Sequence, residues 1–290
     1  MEKRRRRFGD RKDGRRLRTL SPMHMFEPFI MKDRNDALNY ISLDLDVTNV
    51  SKYVNEKKKQ GYPGFSIMYV LIATYIRAVS QKPGINRFVS GQRIYSRDYV
   101  EIAITIKKEM NLESPDTVVK VKLPRDATAI EVYEAFEEVI KGYREQPESD
   151  FDNTARILTK IPRPILRGVV RFLFWLDYHG WLPKFLTDLS PFHASMFITS
   201  MGSLGIPAIF HHLYNFGNVP IFIAFGKKKF VNELQEDGSV KRIPHVDFNV
   251  VMDERICDGY YFASALKYMK TILKRPQILD EKPEIIEDVE

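Results

Sequence analysis

The chain has 290 residues, of which 44% are hydrophobic and 29% are charged, an ordinary balance for a globular protein. Its one cysteine, Cys257, excludes an internal disulfide, and no run of about 18 uncharged apolar residues is present to cross a membrane. The arginine-rich start lacks the apolar stretch of a secretory signal, so we expect a soluble, cytoplasmic protein.

Charge is concentrated at the two ends of the chain. Residues 1–18 contain ten Lys or Arg and three acidic residues, whereas residues 280–290 contain six acidic residues and one lysine. Because charge runs do not pack a core, we predict a basic, disordered arm over 1–29 and an acidic tail over 279–290. Residues 1–18 also have the charge to contact an anionic membrane or nucleic acid.

Residues 30–278 show no repeat, no Gly/Ser linker and no composition shift, which favours one domain. In the first half, alternating apolar residues predict strands and longer apolar periods predict helices. The predicted elements are a strand at 40–46, a helix ending near 60, a buried helix at 65–81, short strands near Phe88 and Ile94, strands at 100–106 and 118–122, and an amphipathic helix at 128–143.

The second half begins with an unusual helical stretch at 161–189, where apolar residues alternate with arginines and Trp175 and Trp181 stand near the end. This pattern is typical of a docking helix with its arginines in water, or of a helix lying in a membrane interface. Strands follow at 196–200, 221–226 and 245–252, and a final helix at 259–273. Because the late strands lack helical crossovers, we predict an α/β fold with a mixed sheet flanked by helices.

The most informative segment is 248–259, in which a strand leads into a charged cluster and then into the final helix. Asp258 occupies the N-cap position of that helix, and Gly259 allows a tight backbone turn. Charges at the end of a buried strand must be paired, and Arg255 with Asp258 is the obvious local pair. On this interpretation the segment is structural, a helix cap with an ion pair.

The same segment resembles the signature of dihydrolipoamide acyltransferases, Asp-His-Arg-x-x-Asp-Gly, and of chloramphenicol acetyltransferases, His-His-x-x-x-Asp-Gly. The matching residues are Asp253, Arg255, Asp258 and Gly259, and Glu254 occupies the histidine position. The resemblance implies that the residue at the histidine position deprotonates the thiol of coenzyme A or dihydrolipoamide. It also implies that Asp258 holds Arg255 or the local backbone in place.

A second block, 197–205, resembles the family sequence Thr-Ile-Ser-Asn-Leu-Gly-x-x-Gly. The resemblance implies that Thr199 hydrogen-bonds the tetrahedral oxyanion, with Ser200 as the adjacent alternative. A hydroxyl donor at such a charge contributes about 3 kcal/mol.

The similarity covers about residues 30–278, in which a buried helix, a Pro-x-x-Asn-like turn and a strand pair also follow the family order. It implies a chloramphenicol acetyltransferase-like two-layer fold, coenzyme A (as acyl-CoA) as substrate, and a homotrimer with its active site between subunits. No lipoyl-lysine domain precedes the core, so we expect no lipoyl group on this chain.

Because Glu254 occupies the histidine position, the identity of the general base is undecided. A free carboxyl group titrates about 4 units below a thiol, although burial can raise its pKa by up to about 3–5 units. Glu254 therefore serves as base only if desolvated, and His212 is the first candidate for a relocated base because its block lies near the family's substrate channel. We interpret Cys257 as a buried thiol and expect no metal site.

These observations favour an acyltransferase that moves an acyl group between coenzyme A and an unknown acceptor. Thr199 would stabilise the oxyanion, Asp258 and Arg255 would hold the site, and Glu254 or His212 would take the proton. The alternatives are a catalytically inactive trimeric relative that binds acyl-CoA or acts as a scaffold, and a membrane- or nucleic-acid-associated protein. The position of Glu254, in a cavity or paired with an arginine in the interior, separates the first two.

Overall fold

A seven-stranded mixed β-sheet and a three-stranded sheet form the framework of the structure, a computed structural model that describes residues 6–107, 116–145 and 160–290. The strands are β1 (Gly14–Arg16), β2 (Leu38–Asp46), β3 (Arg87–Ser90), β4 (Arg93–Arg97), β5 (Val100–Lys107), β6 (Asp116–Leu123), β7 (Met196–Ser200), β8 (Ile221–Phe225), β9 (Lys229–Leu234) and β10 (Val240–Asp253). The helices are α1 (Pro22–Ile30), α2 (Thr48–Lys59), α3 (Ile67–Gln81), α4 (Ala129–Glu145), α5 (Arg163–His179), α6 (Lys184–Leu189) and α7 (Gly259–Lys274).

The large sheet has the strand order β2-β10-β8-β7-β5-β6, and β9 pairs with the first part of β10. β7 is parallel to β5 and β8, whereas β10 is antiparallel to β2 and β8, and β5 is antiparallel to β6. The sequence-based prediction of a mixed sheet is therefore confirmed.

One face of this sheet packs against a layer of helices, in which α3 contacts α2, α4 and α7. Every residue of α3 from Tyr69 to Ser80 is buried, because its sequence has no continuous polar face to turn toward water. The two-layer arrangement that was predicted, a sheet flanked by helices, is thus the observed one.

The other face of the sheet is partly covered by the irregular segment 206–219. Leu213 from this segment joins Phe222 and Val251 in a second, smaller apolar cluster. Gly217 sits in the left-handed region (φ 85°), and a Cβ there would lie 2.0 Å from the Phe192 carbonyl oxygen. Only glycine fits this turn, which holds the segment against the sheet.

The helical stretch predicted over 161–189 is two helices. α5 ends where Gly180 adopts the left-handed conformation (φ 74°), and Pro183 precedes α6. Within the described ranges, no helix has both the length and the apolar content needed to cross a bilayer.

The arm predicted to be disordered is structured from residue 6 onward, which corrects that prediction. β1 pairs with β4, and Arg6 and Arg11 form ion pairs with Asp98 and Asp177. Residues 1–5, which include two of the predicted membrane- or nucleic-acid-contacting arginines, lie outside the described residues. Arginines that pair with carboxylates on other segments become part of the folded structure. A count of charges along the sequence does not reveal these partners.

The acidic C-terminal segment also packs onto the body of the protein. Asp288 is buried and forms a two-pronged ion pair with Arg87, with N–O distances of 2.6 and 2.8 Å. The carbonyl oxygen of Glu290 accepts hydrogen bonds from the backbone of Arg18 and Thr19. The two ends of the chain are therefore held together, and 279–290 is structurally part of the domain.

Asp177 joins α5 to three distant parts of the chain. Its carboxylate lies 3.1 Å from Nε2 of His193, accepts the backbone N–H of Gly217, and lies 3.6 Å from Arg11. Burial would raise the pKa of Asp177, but the hydrogen bond to His193, together with Arg11 and the Gly217 N–H, lowers it below the ordinary value.

Because the pKa of Asp177 is lower in the folded than in the unfolded protein, its carboxylate stabilises the fold at pH values above the unfolded pKa of about 3.9. This contribution is lost as the pH falls through the folded-state pKa. We expect Asp177→Asn to cost about 2 kcal/mol near neutral pH and progressively less under acid. Urea unfolding of both proteins between about pH 7 and pH 3 measures the difference. A difference that stays constant over this range would contradict the role of Asp177.

Candidate active site

The end of β10 carries a buried charge cluster made of Asp253, Arg255 and Arg34. Asp253 has no exposed surface, and its two carboxylate oxygens accept hydrogen bonds from Nε and Nη2 of Arg255 at 2.8 and 2.7 Å. Nε of Arg34 lies 3.3 Å from the same carboxylate. The predicted Arg255–Asp258 pair is therefore wrong, because Asp253 reaches Arg255 with both oxygens inside the protein.

Arg255 also fixes the position of α1. Its Nη1 donates to the carbonyl oxygens of Met31 and Lys32, which directly follow α1, at 2.9 and 3.1 Å. The buried guanidinium thus ties the N-terminal helix to the end of β10. Arg255 acts as a structural clamp for this region of the site.

Asp258 caps α7, as the sequence predicted. Its Oδ1 accepts the backbone N–H of Tyr261 at 2.7 Å, and its side chain is about half exposed (56%). Gly259 is the first residue of α7, outside the left-handed region, and a Cβ there would meet no atom within 4 Å. No tight turn requires glycine at this position.

Glu254 is exposed at the surface, in a single 3₁₀ turn over Glu254–Ile256. It does not lie in the interior, and no arginine among the described residues pairs with it. Glu27 of α1 lies close enough to interact electrostatically with Glu254, and also with His24 and Asp258. Partial burial raises the pKa of Glu27, and the charges of Glu254 and Asp258 raise it further against the opposing effect of His24.

His24 is the functional candidate that the sequence did not reveal. Its Nδ1 lies 2.9 Å from Oγ of Ser21, and its Nε2 lies 3.9 Å from Oδ2 of Asp258. A histidine therefore stands beside the signature, although it comes from a helix more than 200 residues earlier. The available signal was the Ser21-Pro22 start of a helix, in which Ser21 caps α1.

Thr199 and Ser200 lie at the end of β7. This is the end of the sheet opposite to the one where β10 leads into Glu254. Because side chains alternate along a strand, Thr199 shares the face of Phe197, and Ser200 faces the helices. The turn that follows is close-packed: a Cβ on Gly202 would lie 2.9 Å from the carbonyl oxygen of Gly226. These glycines bring the turn after β7 against the end of β8.

Ser200 lines a cleft with a volume of about 410 Å³. The cleft lies between α2, the start of α3 and the ends of β7 and β8. Its other lining residues are Ser51, Val54, Asn55, Lys58, Ser66, Ile67, Met68, Phe225 and Lys228. The hydroxyl of Ser51 is buried and has no hydrogen-bond partner in the described residues.

The strand register separates the two halves of the predicted site. Thr199 pairs with Ala224, and Ala224 pairs with Asn249 of β10. Glu254 follows Asn249 by five residues (254 − 249), which places it roughly 16 Å further along the strand direction. One copy of the chain therefore holds the hydroxyls and the signature residues too far apart to act on one carbonyl group.

The other histidines near the second block have different surroundings. His212 is exposed, and its ring contacts the ring of Tyr214. His211 stacks on Phe222 with 4.2 Å between ring centroids, and burial lowers its pKa. Phe222 pairs with Phe197, so His211 covers the face of the sheet that carries Thr199, and His212 lines a small cavity on that face with Phe197 and Phe222. His193 is buried against Asp177 and is structural.

Cys257 is buried, as predicted, and burial raises the pKa of its thiol to about 12. At pH 8 the thiolate fraction is then about one in ten thousand. We expect the folded protein to be inert to a thiol reagent and the urea-unfolded protein to react with one equivalent. Labelling at pH 8 with and without urea measures this, and rapid labelling of the folded protein would show that the site is open.

Among residues 6–107, 116–145 and 160–290, no group of three or more His, Cys, Asp or Glu side chains is arranged to hold a metal ion.

Comparison with known proteins gives a match at the level of structure. No protein-family model matches the chain, and no curated protein matches it in sequence. A probable dihydrolipoamide acetyltransferase from Listeria monocytogenes aligns over 87% of this chain and 89% of its own, with 15% identity and a TM-score of 0.57. A chloramphenicol acetyltransferase aligns over 88% and 96%, with 12% identity and a TM-score of 0.55.

A third structure, the truncated catalytic core of a 2-oxoacid dehydrogenase multienzyme complex from Thermoplasma acidophilum, aligns over 90% of this chain and 98% of its own. Its identity is 13% and its TM-score is 0.52. The agreement spans nearly the whole chain in each case, with the same mixed sheet flanked by helices. The chain therefore has the chloramphenicol acetyltransferase-like fold of the dihydrolipoamide acyltransferase cores.

Proposed function

We propose that this protein transfers an acyl group between coenzyme A and a hydroxyl, amine or thiol acceptor. The observation that carries the proposal is the 410 Å³ cleft that is lined by Ser200. At this end of β7, the hydroxyl side chains of Thr199 and Ser200 precede a close-packed glycine turn. A cleft of this size suits a small-molecule ligand. The fold, shared with solved acyltransferases, supports the same conclusion.

The cleft has the chemistry to hold the anionic part of coenzyme A. Lys58 of α2 and Lys228, three residues after β8, supply two positive charges. The start of α3, at Ser66 and Ile67, adds backbone N–H groups that have no partner inside the helix. The unpartnered hydroxyl of Ser51 offers a further donor. Phosphate groups bound here would leave the thioester end free to reach the end of β7.

The reaction needs a base, an oxyanion donor and a leaving thiolate. The base removes the acceptor proton as the acceptor atom bonds to the thioester carbon, and the carbonyl electrons move to oxygen. Ser200 or Thr199 donates a hydrogen bond to that oxyanion. Collapse then breaks the carbon–sulfur bond, and the protonated base returns its proton to the thiolate of coenzyme A.

We assign the base to the cluster of His24, Glu27 and Glu254 around Asp258. Histidine is the commonest general base, and His24 has Nε2 turned toward Asp258 while Ser21 contacts Nδ1. Glu254, at the family's histidine position, lies in the same cluster and is the second candidate. His212 lines a small cavity with Phe197 and Phe222, on the sheet face that carries Thr199, and is the third candidate.

The two halves act together if a second copy brings its signature cluster to the end of β7. The separation of roughly 16 Å within one chain supports this arrangement, and structures with the same fold include the cubic core of a pyruvate dehydrogenase multienzyme complex. Next to Thr199 the surface is apolar and exposed at Leu204, Ile206 and Ile209, which suits contact with another copy. We infer a homo-oligomer, with a trimer as the simplest closed form.

Coenzyme A release from a panel of acyl-coenzyme A thioesters, with hydroxyl, amine and thiol acceptors, tests the proposal. Either Thr199→Ala or Ser200→Ala should lower kcat by about 10²–10³, and His24→Gln by about 10²–10⁴. Ser203→Ala is the matched control, because Ser203 is exposed and, among the described residues, its hydroxyl donates to the Ser200 carbonyl oxygen alone. Unchanged turnover in all three test variants would remove this mechanism.

The exposed, unpaired Glu254 at the histidine position favours a second candidate, an inactive relative that binds acyl-coenzyme A. This candidate predicts coenzyme A binding without turnover. Lys58→Gln with Lys228→Gln should weaken that binding by about tenfold or more, whereas Lys241→Gln should leave it unchanged. Calorimetric titration measures the binding, and turnover gained by Glu254→His would show that only the base is missing.

A further inference from the structure

The exposed side of α5 carries a row of arginines beside a group of large apolar side chains. Arg163, Arg167 and Arg171 recur every four residues and form one stripe along the helix. None of the three has a carboxylate partner in the part of the chain that the structure describes. We propose that α5 and the start of α6 form a docking surface for an anionic phospholipid membrane.

The first support for the proposal is charge. Between residues 160 and 187 the only acidic residue is Asp177, which is buried and held by Arg11 and His193. The water-facing side of this region is therefore purely basic. Three like charges in adjacent helical turns repel each other, and an anionic surface removes that repulsion.

The second support is the amount of exposed apolar surface. Ile165, Val170, Phe172, Trp175, Trp181 and Phe185 are each between 41% and 68% exposed. A patch of this kind on a soluble surface marks a binding site. Trp beside Arg is also the composition that proteins place at the headgroup level of a membrane, where the ring is half buried and the charge meets phosphate.

The arrangement of the rings favours lipid over nucleic acid. Trp175 stacks on Phe172 with 5.9 Å between centroids and packs edge-on against Trp181 at 5.2 Å. The rings already contact one another, whereas single-stranded nucleic acid needs open ring faces on which bases stack. Ile165 and Val170 add aliphatic surface that is stabilised by burial among lipid acyl chains. Aliphatic side chains do not provide a ring on which a nucleobase could stack.

Among the described residues, the contacts that anchor this helix lie at its C-terminal end, and its first turns are exposed. Asp177 is its one buried residue, and the Tyr178 hydroxyl donates to Gln92 at 2.6 Å. The preceding turns project their arginines outward. No residue of this surface lines the 410 Å³ cleft, and its arginines lie in the turns before Asp177, so the proposal does not depend on acyl transfer.

Trp175 and Trp181 are the only two tryptophans of the chain, so intrinsic fluorescence reports on this surface alone. The full chain is mixed with vesicles of phosphatidylcholine, with or without about one third phosphatidylglycerol, at low and high salt. We expect sedimentation with the anionic vesicles, a shift of tryptophan emission to shorter wavelength, and loss of both at high salt.

Arg163→Gln with Arg167→Gln and Arg171→Gln should weaken vesicle binding about a hundredfold. The matched control is Phe230→Ala with Arg242→Gln, which removes an exposed arginine–aromatic pair, 4.4 Å apart, from the β9–β10 hairpin. Circular dichroism checks that each variant is folded. If the triple variant does not fold, the proposal is still tested by the wild-type protein, through the salt dependence of its vesicle binding and the shift of its tryptophan emission.

Three results would overturn the proposal. Sedimentation with no emission shift would assign vesicle binding to the basic N-terminal segment. A shift with a single-stranded oligonucleotide but not with vesicles would identify the partner as nucleic acid. A shift that appears with rising protein concentration alone would identify it as a second copy of this chain.

Discussion

Replacing Asp253 with alanine is expected to destabilise the fold by about 3–5 kcal/mol, the largest single effect among the substitutions considered. Asp253 is fully buried and faces the guanidinium groups of both Arg255 and Arg34. Removing the carboxylate leaves two positive charges in the interior without their shared partner. An uncompensated buried charge costs more than the lost pair itself contributed.

Asp258→Ala is the matched control, because this aspartate is five residues away and about half exposed. Its loss removes an N-cap bond, which is worth about 1 kcal/mol, and an exposed 3.9 Å contact with His24. Urea unfolding of the wild type and both variants gives the free energies of unfolding. A cost for Asp253→Ala no larger than that for Asp258→Ala would show that the buried cluster does not hold the two segments together.

The same cluster links stability to the proposed activity. Arg255 holds the carbonyl groups after α1, and α1 carries His24 and Glu27 to the signature. Loosening Arg255 would therefore displace the proposed base without touching the hydroxyls of β7.

Mixing two differently inactivated chains is expected to restore about one quarter of wild-type activity. The first chain carries Thr199→Ala with Ser200→Ala, and the second carries His24→Gln with Glu254→Gln. If each site takes its hydroxyl from one copy and its base from another, half of the chains supply each intact part at equal mixing. The measurement is coenzyme A release by the co-expressed oligomers, purified without selection for mixed composition.

Each variant alone, and a mixture of two differently tagged chains with the same lesion, serve as controls and should stay inactive. An inactive mixture of the two different variants would place both parts of the site in the same chain, against the separation in the strand register. Full wild-type activity of either variant alone would exclude its substituted residues from the reaction.

Local patterns in the sequence were sufficient for most elements of the domain. The alternation at 196–200 and the cap at Asp258 predict the boundaries of β7 and α7 because both depend on neighbours a few residues away. The apolar character of 65–81 on most sides likewise indicated that α3 is buried. The mixed sheet followed from the order of these elements.

Contacts between distant segments could not be obtained in this way. The partner of Arg255, the place of His24 beside Asp258, and the ordered course of residues 6–29 depend on strands and helices that meet across about 200 residues. Thr199 and Glu254 each match a family motif, yet only the register of β7, β8 and β10 reveals that one chain holds them at opposite ends of the sheet. Periodicity records which side of an element is apolar, whereas the energy of a buried pair depends on which two elements pack together.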